Sequence, residues 1–509
     1  MPEWDAVPVD QSSEPASGTF NPTTGLISSR AFASTLGNAV QSLDPVGVDA
    51  YCSDTSAKVR SGSYFSRSPF IFALLLGTLL AAVVGASLLQ PALSGSARRD
   101  LQRAWQAVKS KDAPWDLPTL DQYEQHLSLS EARGKALLAA AAKKRGEIRF
   151  PFPRALGQSA MATLAEQLSG GRTTNLIGQT LILTDIQPLG STEIEQEPRE
   201  YIVSKYLGEG ALSVVVEVIE KRTNETKALR LHAIPQHLDS VSVTPELAED
   251  ASRTALVEST TAMLQAVGTT SLTAAAKERG LALVSAVARV QGVPSVLPCG
   301  SSYFVNEVEI VDRYYGTVEG LFSPTTRLTE GAKVYAGRRL LLQVLLLQRA
   351  GCSHNNLKLQ NLFMNLDGSF LLGDFGAGSL IGEPLDRVRG VTPAYAEKEL
   401  SLAATVTSPD APPARVHSKS DLWGLGMCLY QIFTGGEMPY GLGGDLPASD
   451  IFDFLEKNKV RAVVLDAPLT SARVSARWKD LIIRLLEVER ENRIGTEQLI
   501  EEFADLLQL

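Results

Sequence analysis

Cysteine is scarce in this sequence, with four residues in a chain of 509, and none of the four stands in a C-x-x-C arrangement. Without paired cysteines at metal-ligand spacing the sequence gives no support for a zinc site, and four scattered thiols exclude a dense disulfide scaffold. Cys352 and Cys428 can pair if the chain is exported, although we favour two buried thiols.

An excess of positive charge is also missing, because 48 lysines and arginines face 57 acidic residues and leave a formal net charge of -9. A protein that neutralises the phosphates of nucleic acids needs a broad basic surface. The composition therefore argues against a nucleic-acid partner. The length allows two or three domains.

A third absence is local, since residues 68–97 carry no charge at all. Within them, residues 68–90 form an apolar run of the roughly 20 residues that a helix needs to span a bilayer. The run fits a transmembrane helix, the hydrophobic part of a secretory signal, or a buried core helix, which we favour least because no other folded pattern adjoins it. Residues 1–67 are rich in small and polar residues and are predicted to be disordered.

Residues 91–175 are predicted to form a basic helical region. In residues 98–111 apolar residues recur at helical spacing among five lysines and arginines. This pattern is typical of an amphipathic helix on an anionic membrane surface, and equally of a helix packed on the following domain. The first interpretation makes a membrane surface the partner of residues 68–111. Two further helices are predicted at residues 130–145 and at about 155–168.

Two polar clusters, HNNLKLQN at 354–361 and DFG at 374–376, flank a hairpin pattern. The apolar triplets at 362–364 and 370–372 are joined by a turn with the sequence N-L-D-G. A hairpin here brings both clusters to one side of a cleft.

The side chains of these clusters fit a site for phosphate and metal. Asn361 and Asp374 offer the oxygen ligands that a hard divalent cation such as Mg²⁺ prefers, and Lys358 can meet a phosphate. The clusters and their spacing resemble the protein-kinase catalytic loop H-R-D-L-K-x-x-N followed by D-F-G. Asn356 stands where that pattern has the aspartate that accepts the proton of the substrate hydroxyl, and Asn355 stands where it has arginine.

Strand patterns from residue 178 onward lead into L-G-E-G-A-L-S-V-V-V at 207–216, which resembles the kinase glycine-rich loop. At the expected distance, T-K-A-L-R-L at 226–231 resembles the strand that carries the phosphate-binding lysine, with Arg230 in its place. The resemblance implies that ATP contacts Gly208, Gly210, Ser213, Val215, Ala228 and Arg230.

The kinase pattern also requires a helix glutamate that pairs with the residue at position 230. Glu258 is our candidate, and Glu249 is the second choice because the register is uncertain. Residues 312–315 are predicted to form the hinge beneath which an adenine lies.

The second half reads as helical. Residues 331–350 carry a leucine and valine stripe that predicts a buried helix. T-P-A-Y-A-E-K-E at 392–399 resembles the end of an activation segment, and Asp421 stands where kinases have the aspartate that braces the catalytic loop. The resemblance further implies a buried ion pair between Glu399 and Arg493.

These motifs predict an α+β, bilobal protein kinase fold over residues 176–509, with a β-rich N-lobe at about 176–316 and a helical C-lobe at about 317–509. A hydrophobic segment and amphipathic helices precede it. The whole arrangement is similar to the rhoptry kinases of apicomplexan parasites, many of which are pseudokinases. That resemblance implies a membrane-associated or secretory location, in the rhoptry or the parasitophorous vacuole.

The departures from the kinase pattern define the functional prediction. An asparagine amide orients a hydroxyl but cannot accept its proton, and a general base contributes about 10²–10⁴-fold to a rate. We therefore predict a pseudokinase that binds ATP and Mg²⁺ and acts as a membrane-associated scaffold for a protein partner. The alternatives are an active Ser/Thr kinase and a structural protein with a relic fold. The residues at the catalytic positions are Asn356, Lys358, Arg230 and Glu258, and those at the metal positions are Asn361 and Asp374.

Overall fold

A lobe of strands is followed by a lobe of helices in the computed structural model, which describes residues 117–146, 156–189, 193–210, 212–238, 241–249, 271–322, 327–382, 392–405, 415–442, 446–457 and 462–507. The helices are α1 Leu120–Gln125, α2 Leu129–Gly146, α3 Leu156–Ser169, α4 Leu272–Ala274, α5 Glu330–Arg349, α6 Lys398–Thr405, α7 Ser418–Thr434, α8 Ala448–Lys457, α9 Asp466–Ser471, α10 Ala476–Leu485, α11 Thr496–Glu502 and α12 Ala504–Leu507. The strands are β1 Thr180–Pro188, β2 Arg199–Glu209, β3 Ser213–Glu220, β4 Thr226–Pro235, β5 His237–Leu238, β6 Val241–Ser242, β7 Ala286–Val290, β8 Val296–Cys299, β9 Ser302–Asp312, β10 Cys352–Ser353, β11 Leu362–Met364, β12 Phe370–Leu372 and β13 Ser379–Leu380. The bilobal α+β architecture predicted from the sequence is confirmed.

The strands of the N-lobe form a closed antiparallel barrel. Strands β1, β2, β3, β4, β9 and β7 are hydrogen-bonded in that order, and β7 returns to pair with β1. Strand β8 adds to the first half of β9 as a hairpin. Closure removes the free edges of the paired strands. The extended region ahead of the glycine-rich sequence therefore belongs to this lobe, because β1 is the strand that closes the barrel.

Side chains of the barrel alternate between its interior and its surface, as the period of a strand requires. Val214, Val216 and Val218 on β3 are fully buried, and the residues between them are partly exposed. Helix α3 covers this core with Met161 and Leu164, which are also buried. The barrel is thus filled by β-branched and leucine side chains, which suit a pleated, buried surface.

The helical lobe is built around α5, whose leucine stripe is buried as predicted. The hairpin predicted between the two polar clusters is also confirmed. Strands β11 and β12 pair antiparallel, and Gly368 supplies a φ of 87° in the turn that joins them. Helix α5 and this hairpin flank the loop at residues 354–361 along the chain.

Helices α1 and α2 pack on the helical lobe through α5. Glu131 on α2 is buried and accepts hydrogen bonds from Tyr123 and from Arg338 of α5, each at 3.0 Å. Arg339 of α5 pairs with Glu124 on α1. These charges are compensated across the interface, as buried charges must be. All described residues belong to one compact unit, Ala113–Leu509, so α2 and α3, the helices predicted at residues 130–145 and at about 155–168, pack as part of the kinase-like unit.

The backbones of α2 and α5 meet at glycines, which yields a stability prediction. A Cβ built on Gly134 lies 2.4 Å from the backbone nitrogen of Ala332, closer than any allowed contact. Glycine-to-alanine changes in exposed helices stabilise by roughly 0.5–1 kcal/mol. We expect Gly134→Ala to destabilise by about 1–3 kcal/mol in urea unfolding, because the helices must separate.

Ala136→Gly, at an exposed position of the same helix, serves as the control. Its free energy of unfolding is expected to fall by about 1 kcal/mol, because glycine has a lower helix propensity than alanine. A Gly134→Ala variant that is more stable than the wild type would contradict the close approach of the two helices.

Two expectations concern membranes and thiols. The segments at 1–67, 68–90 and 98–111 lie outside the described residues, and no helix among the described residues is long and apolar enough to cross a bilayer. Cys352 and Cys428 are buried and form no disulfide with each other, which confirms the favoured prediction. Burial raises the pKa of the Cys428 thiol, so it is protonated at neutral pH.

Candidate functional site

Asp421, in the first turn of α7, fixes the loop that carries the first polar cluster. Its carboxylate is buried and accepts the backbone N–H groups of His354 at 2.7 Å and Asn355 at 2.9 Å. Asn355 has a φ of 59°, a left-handed conformation that asparagine tolerates better than most residues. The bracing position predicted for Asp421 is confirmed.

His354 connects this loop to the DFG segment. Its Nδ1 accepts the backbone N–H of Asn356 at 3.2 Å, and its Nε2 lies 2.9 Å from the carbonyl oxygen of Gly373. The ring packs against Phe375 with the centroids 4.9 Å apart. Burial lowers the pKa of His354, so the imidazole is neutral, with Nε2 as the donor to Gly373. The two polar clusters are therefore held as one rigid group.

Asn356, at the position of the catalytic base, is held by a threonine from the activation segment. The Thr392 hydroxyl donates to Asn356 Oδ1 at 2.7 Å and accepts from Lys358 Nζ at 2.8 Å. Burial lowers the pKa of Lys358, while the charges of Asp374 and Glu319 oppose this shift. The hydrogen bonds described for the side chain of Asn356 involve no carboxylate. The site has an oriented amide where a proton acceptor is needed.

Asn361 and Asp374, the residues at the predicted metal positions, lie in segments joined by the hydrogen bond from the Gly373 N–H to the carbonyl of Asn361 at 2.9 Å. Asn361 Nδ2 donates to the carbonyl of Asn356 at 2.9 Å, which leaves its Oδ1 as a ligand. Asp374 has a φ of 63° at the start of a 3₁₀ turn. The described residues contain no cluster of three or more His, Cys, Asp or Glu able to hold a metal. A cation held here would take its other ligands from phosphates and water, as Mg²⁺ commonly does.

Arg230, on β4, faces these residues across the cleft. Its Nη2 donates to Asp374 Oδ1 at 3.2 Å, its Nε donates to Ser213 Oγ at 3.0 Å, and its Nη1 lies 3.6 Å from Glu309 Oε2. Burial disfavours the charged form of Asp374, but the charges of Arg230 and Lys358 oppose this effect, and the pKa of Asp374 is lowered. Asp374 is consequently ionised and already compensated by a guanidinium.

The glycine-rich turn between β2 and β3 closes over Arg230. Gly210 N–H donates to the carbonyl of Ser213 at 2.8 Å, and a Cβ built on Gly208 would meet nothing within 4 Å. The first atom of any side chain at Gly208 would project into open space, which suits close approach of a ligand to the backbone. Val215 pairs with both Gly208 and Arg230 on the neighbouring strands, and Ala228 is buried beside it.

The predicted hinge at residues 312–315 follows the end of β9. Tyr314 stacks on Phe363 of β11, with centroids 5.5 Å apart and planes at 17°. Tyr315 N–H donates to the carbonyl of Met364 at 2.8 Å. The segment is thereby tied to the floor of the cleft.

Residues 307–503 match the protein kinase domain family. The chain contains a protein kinase-like domain. The match begins within β9 and covers the hinge and the helical lobe, so the glycine-rich turn and Arg230 precede it. The kinase character of those earlier elements rests on the fold.

Solved structures share the fold of this kinase-like domain. The ROP18 kinase domain in complex with AMP-PNP and sucrose is 17% identical, with a TM-score of 0.50 over 75% of this chain and 95% of that one. ROP2 from Toxoplasma gondii, described as a virulence factor with a protein-kinase fold and no enzymatic activity, is 14% identical, with a TM-score of 0.53 over 74% and 95%. At these identities the likeness shows the fold.

Curated relatives match shorter stretches. CBL-interacting protein kinase 29 of Oryza sativa subsp. japonica is 25% identical over 185 residues, which is 36% of this chain and 37% of that protein. Serine/threonine-protein kinase RAD53 of Saccharomyces cerevisiae is 28% identical over 162 residues, or 31% and 19%. The chain thus spans well under half the length of these relatives.

The carboxylates described beside Arg230 come from β9 and the DFG segment. Glu258 lies outside the described residues of the kinase-like domain. The carboxylates that the described structure gives to Arg230 are Glu309 and Asp374. Glu249, the second choice, is the last residue of the described segment 241–249.

The predicted ion pair between Glu399 and Arg493 is wrong. Arg493 pairs with Glu397, both side chains are fully buried, and Arg490 joins the pair. The partner of Arg493 is therefore two residues earlier in the sequence than predicted. Glu397 lies between the 3₁₀ turn at Pro393–Tyr395 and the start of α6, whereas Glu399 lies within α6. Glu399 is partly exposed, with its carboxylate 3.7 Å from Arg490.

Two residues of the site were missed. Thr392 was recognised as part of a Thr-Pro motif, and that motif was the signal that could have placed its hydroxyl near Asn356. Glu309 gave no such signal, because its role depends on the pairing of β4 with β9, which sets it directly opposite Arg230.

Proposed function

We propose that this protein binds ATP with Mg²⁺ in its kinase-like domain and transfers phosphate poorly or not at all. The observation that carries the proposal is the amide of Asn356, fixed by Thr392 at the position of the catalytic base. An amide oxygen is a very weak base, so a substrate hydroxyl placed there keeps its proton. The loss of a general base corresponds to about 10²–10⁴-fold in rate.

Nucleotide binding is supported by the groups that remain. Gly208, Gly210, Val215 and Ala228 would enclose the base and phosphates, and Asn361 and Asp374 would hold Mg²⁺, which neutralises phosphate charge when bound. Arg230 places a positive charge beside Asp374 on the phosphate side. Among proteins of this fold, ROP18 is described with AMP-PNP and ROP2 with no enzymatic activity, so both properties have a parallel.

Nucleotide titration tests the binding, with the thermal midpoint as readout. ATP and Mg²⁺ are expected to raise the midpoint of the wild-type chain. Asp374→Asn should weaken the affinity at least about tenfold, because it removes the charge. Asparagine tolerates the left-handed backbone at this position, so folding is preserved. An unchanged midpoint in the wild type would contradict nucleotide binding.

Single-turnover transfer to a peptide substrate tests the catalytic impairment. Protein kinases turn over at about 1–100 s⁻¹, and we expect the wild-type chain to be slower by about 10²-fold or more. Asp374→Asn identifies any residual signal that depends on the site. Transfer at the ordinary kinase rate would refute the impairment and leave nucleotide binding intact.

An active Ser/Thr kinase remains the alternative, and one observation favours it. Hydrogen bonds from Lys358 through Thr392 to Asn356 fix the side chains at the position where a substrate hydroxyl would bind. Phosphoryl transfer depends mainly on positioning and electrostatics, so an ordered site without its base retains part of its rate. The single-turnover measurement distinguishes the two functions.

We further propose a membrane-associated scaffold in a secretory compartment, with a protein partner as its target. The apolar run at 68–90 and the basic helical pattern at 98–111 support membrane association, and the similarity to rhoptry proteins supports the compartment. N-terminal sequencing of the mature protein distinguishes a retained anchor from a cleaved signal.

A further inference from the structure

Glu309 is a buried carboxylate that the kinase pattern does not account for. It lies on β9 directly opposite Arg230 on β4, and 4% of its side chain is exposed. Its Oε2 is 3.6 Å from Arg230 Nη1, and its Oε1 is 3.0 Å from His232 Nε2. Both oxygens are therefore engaged by side chains of the neighbouring strand.

The guanidinium of Arg230 has a separate partner for each nitrogen. Nε contacts Ser213 at the end of the glycine-rich turn, Nη1 faces Glu309, and Nη2 contacts Asp374. A planar fork reaches three directions at once, which a compact ammonium cannot do. The three partners belong to three different elements, so the orientation of Arg230 fixes how the turn, β9 and the DFG segment meet.

The charge balance favours an ionised Glu309. Burial alone would raise its pKa, but the charge of Arg230 and the hydrogen bond with His232 lower it. A buried carboxylate without such partners is strongly destabilising, so the pair is mutually dependent. Strand β9 is hydrogen-bonded to β4 on one side and to β7 on the other, which keeps Glu309 in register with Arg230.

We propose that Glu309 is the positioning residue that holds the guanidinium of Arg230 against Asp374, an inference that rests on the nucleotide binding proposed above. In kinases a helix supplies this carboxylate, and movement of that helix makes or breaks the pair. Here the pair is built into the strand ladder. The folded barrel therefore places Glu309 beside Arg230 and fixes the orientation of the guanidinium.

ATP affinity in the presence of Mg²⁺ tests the proposal in three variants. Glu309→Gln is expected to weaken binding at least about tenfold, because Arg230 loses its fixed orientation. Glu307→Gln, on the same strand beside Arg289, is the matched control and should bind like the wild type. Glu258→Gln should lower the affinity for ATP less than Glu309→Gln does. An equal or larger loss for Glu258→Gln would overturn the assignment.

A double-mutant cycle tests the pair without nucleotide. Arg230→Met and Glu309→Gln are combined, and the unfolding equilibrium constants of the four proteins are measured in urea. Non-additivity of about tenfold is expected, whereas additive effects would refute the pair. If Glu309→Gln alone does not fold, recovery of folding in the double variant would demonstrate the coupling between the two residues. Failure of both Glu309→Gln and the double variant to fold would count against the coupling.

The Nε–H signal of Arg230 in ¹⁵N NMR separates positioning from general stability. The signal is assigned by its loss in Arg230→Lys. We expect it to be slow to exchange in the wild type and in Glu307→Gln, and to broaden or vanish in folded Glu309→Gln. A signal that is unaltered in folded Glu309→Gln would overturn the proposal. Absence of ATP binding in the wild type, with the coupling intact, would instead reject the proposed function alone.

Discussion

Replacing Asn356 with aspartate is expected to raise the rate of phosphoryl transfer by about 10²–10⁴-fold. The Thr392 hydroxyl that donates to Asn356 Oδ1 donates equally well to a carboxylate, so the new group inherits the position of the old one. Lys358 remains bound to Thr392 and close enough to stabilise the added charge. The measurement is single-turnover transfer from radiolabelled ATP to a peptide substrate.

Asn365→Asp is the matched control, because it adds the same charge in the turn of the β11–β12 hairpin. It should leave the rate of transfer unchanged. If Asn356→Asp folds, binds nucleotide and transfers no faster than the wild type, the missing base is not the cause of impairment.

Adding Arg230→Lys to Asn356→Asp restores the kinase pattern at both positions, and the sequence pattern alone predicts that the pair of changes raises turnover. The structure changes the expected outcome. Lysine cannot serve Ser213, Glu309 and Asp374 together, so the double variant should transfer no faster than Asn356→Asp alone.

The second large effect is on stability. Glu397→Gln is expected to lower the free energy of unfolding by about 3–5 kcal/mol, because it leaves the buried guanidinium of Arg493 without its carboxylate. Glu399→Gln, two residues away and partly exposed, should cost less than about 1 kcal/mol. Urea unfolding of both variants decides between the two carboxylates. A larger loss for Glu399→Gln would contradict the ion pair described here.

The pH dependence of this loss has a defined direction. Burial opposes ionisation of Glu397, but Arg493 and Arg490 outweigh it, and its pKa in the folded state is lowered. The stability that the pair contributes is therefore present above the pKa of the unfolded state and is lost as the pH falls through that of the folded state. The difference between wild type and Glu397→Gln should narrow in acid.

The features that could be predicted from the sequence are those set by neighbouring residues. The β11–β12 hairpin, the buried helix α5 and the spacing from Asn361 to Asp374 follow from apolar periodicity and turn chemistry within short windows. The register between distant segments could not be predicted. Glu309 faces Arg230 only because β4 and β9 pair in one register, and Glu397 replaces Glu399 because the preceding turn is short.

The packing of helix α2 illustrates the same limit. The sequence gives α2 and α3 the pattern of independent helices, yet Glu131 of α2 meets Arg338 of α5, more than 200 residues later. Gly134 and Gly331 allow the two backbones to touch, and nothing in the local pattern distinguishes them from ordinary helix glycines.

The closed barrel has a mechanical consequence. No strand of the ring β1–β2–β3–β4–β9–β7 can slide without breaking hydrogen-bonded ladders on both of its sides. The N-lobe should therefore respond to load as a stiff shell, and Arg230 and Glu309 travel together inside it. Opening and closing of the cleft therefore depends on the connections between that shell and the helical lobe. One is the segment Arg313 to Gly316 after β9, and another runs from Leu281, which packs in the helical lobe, into β7.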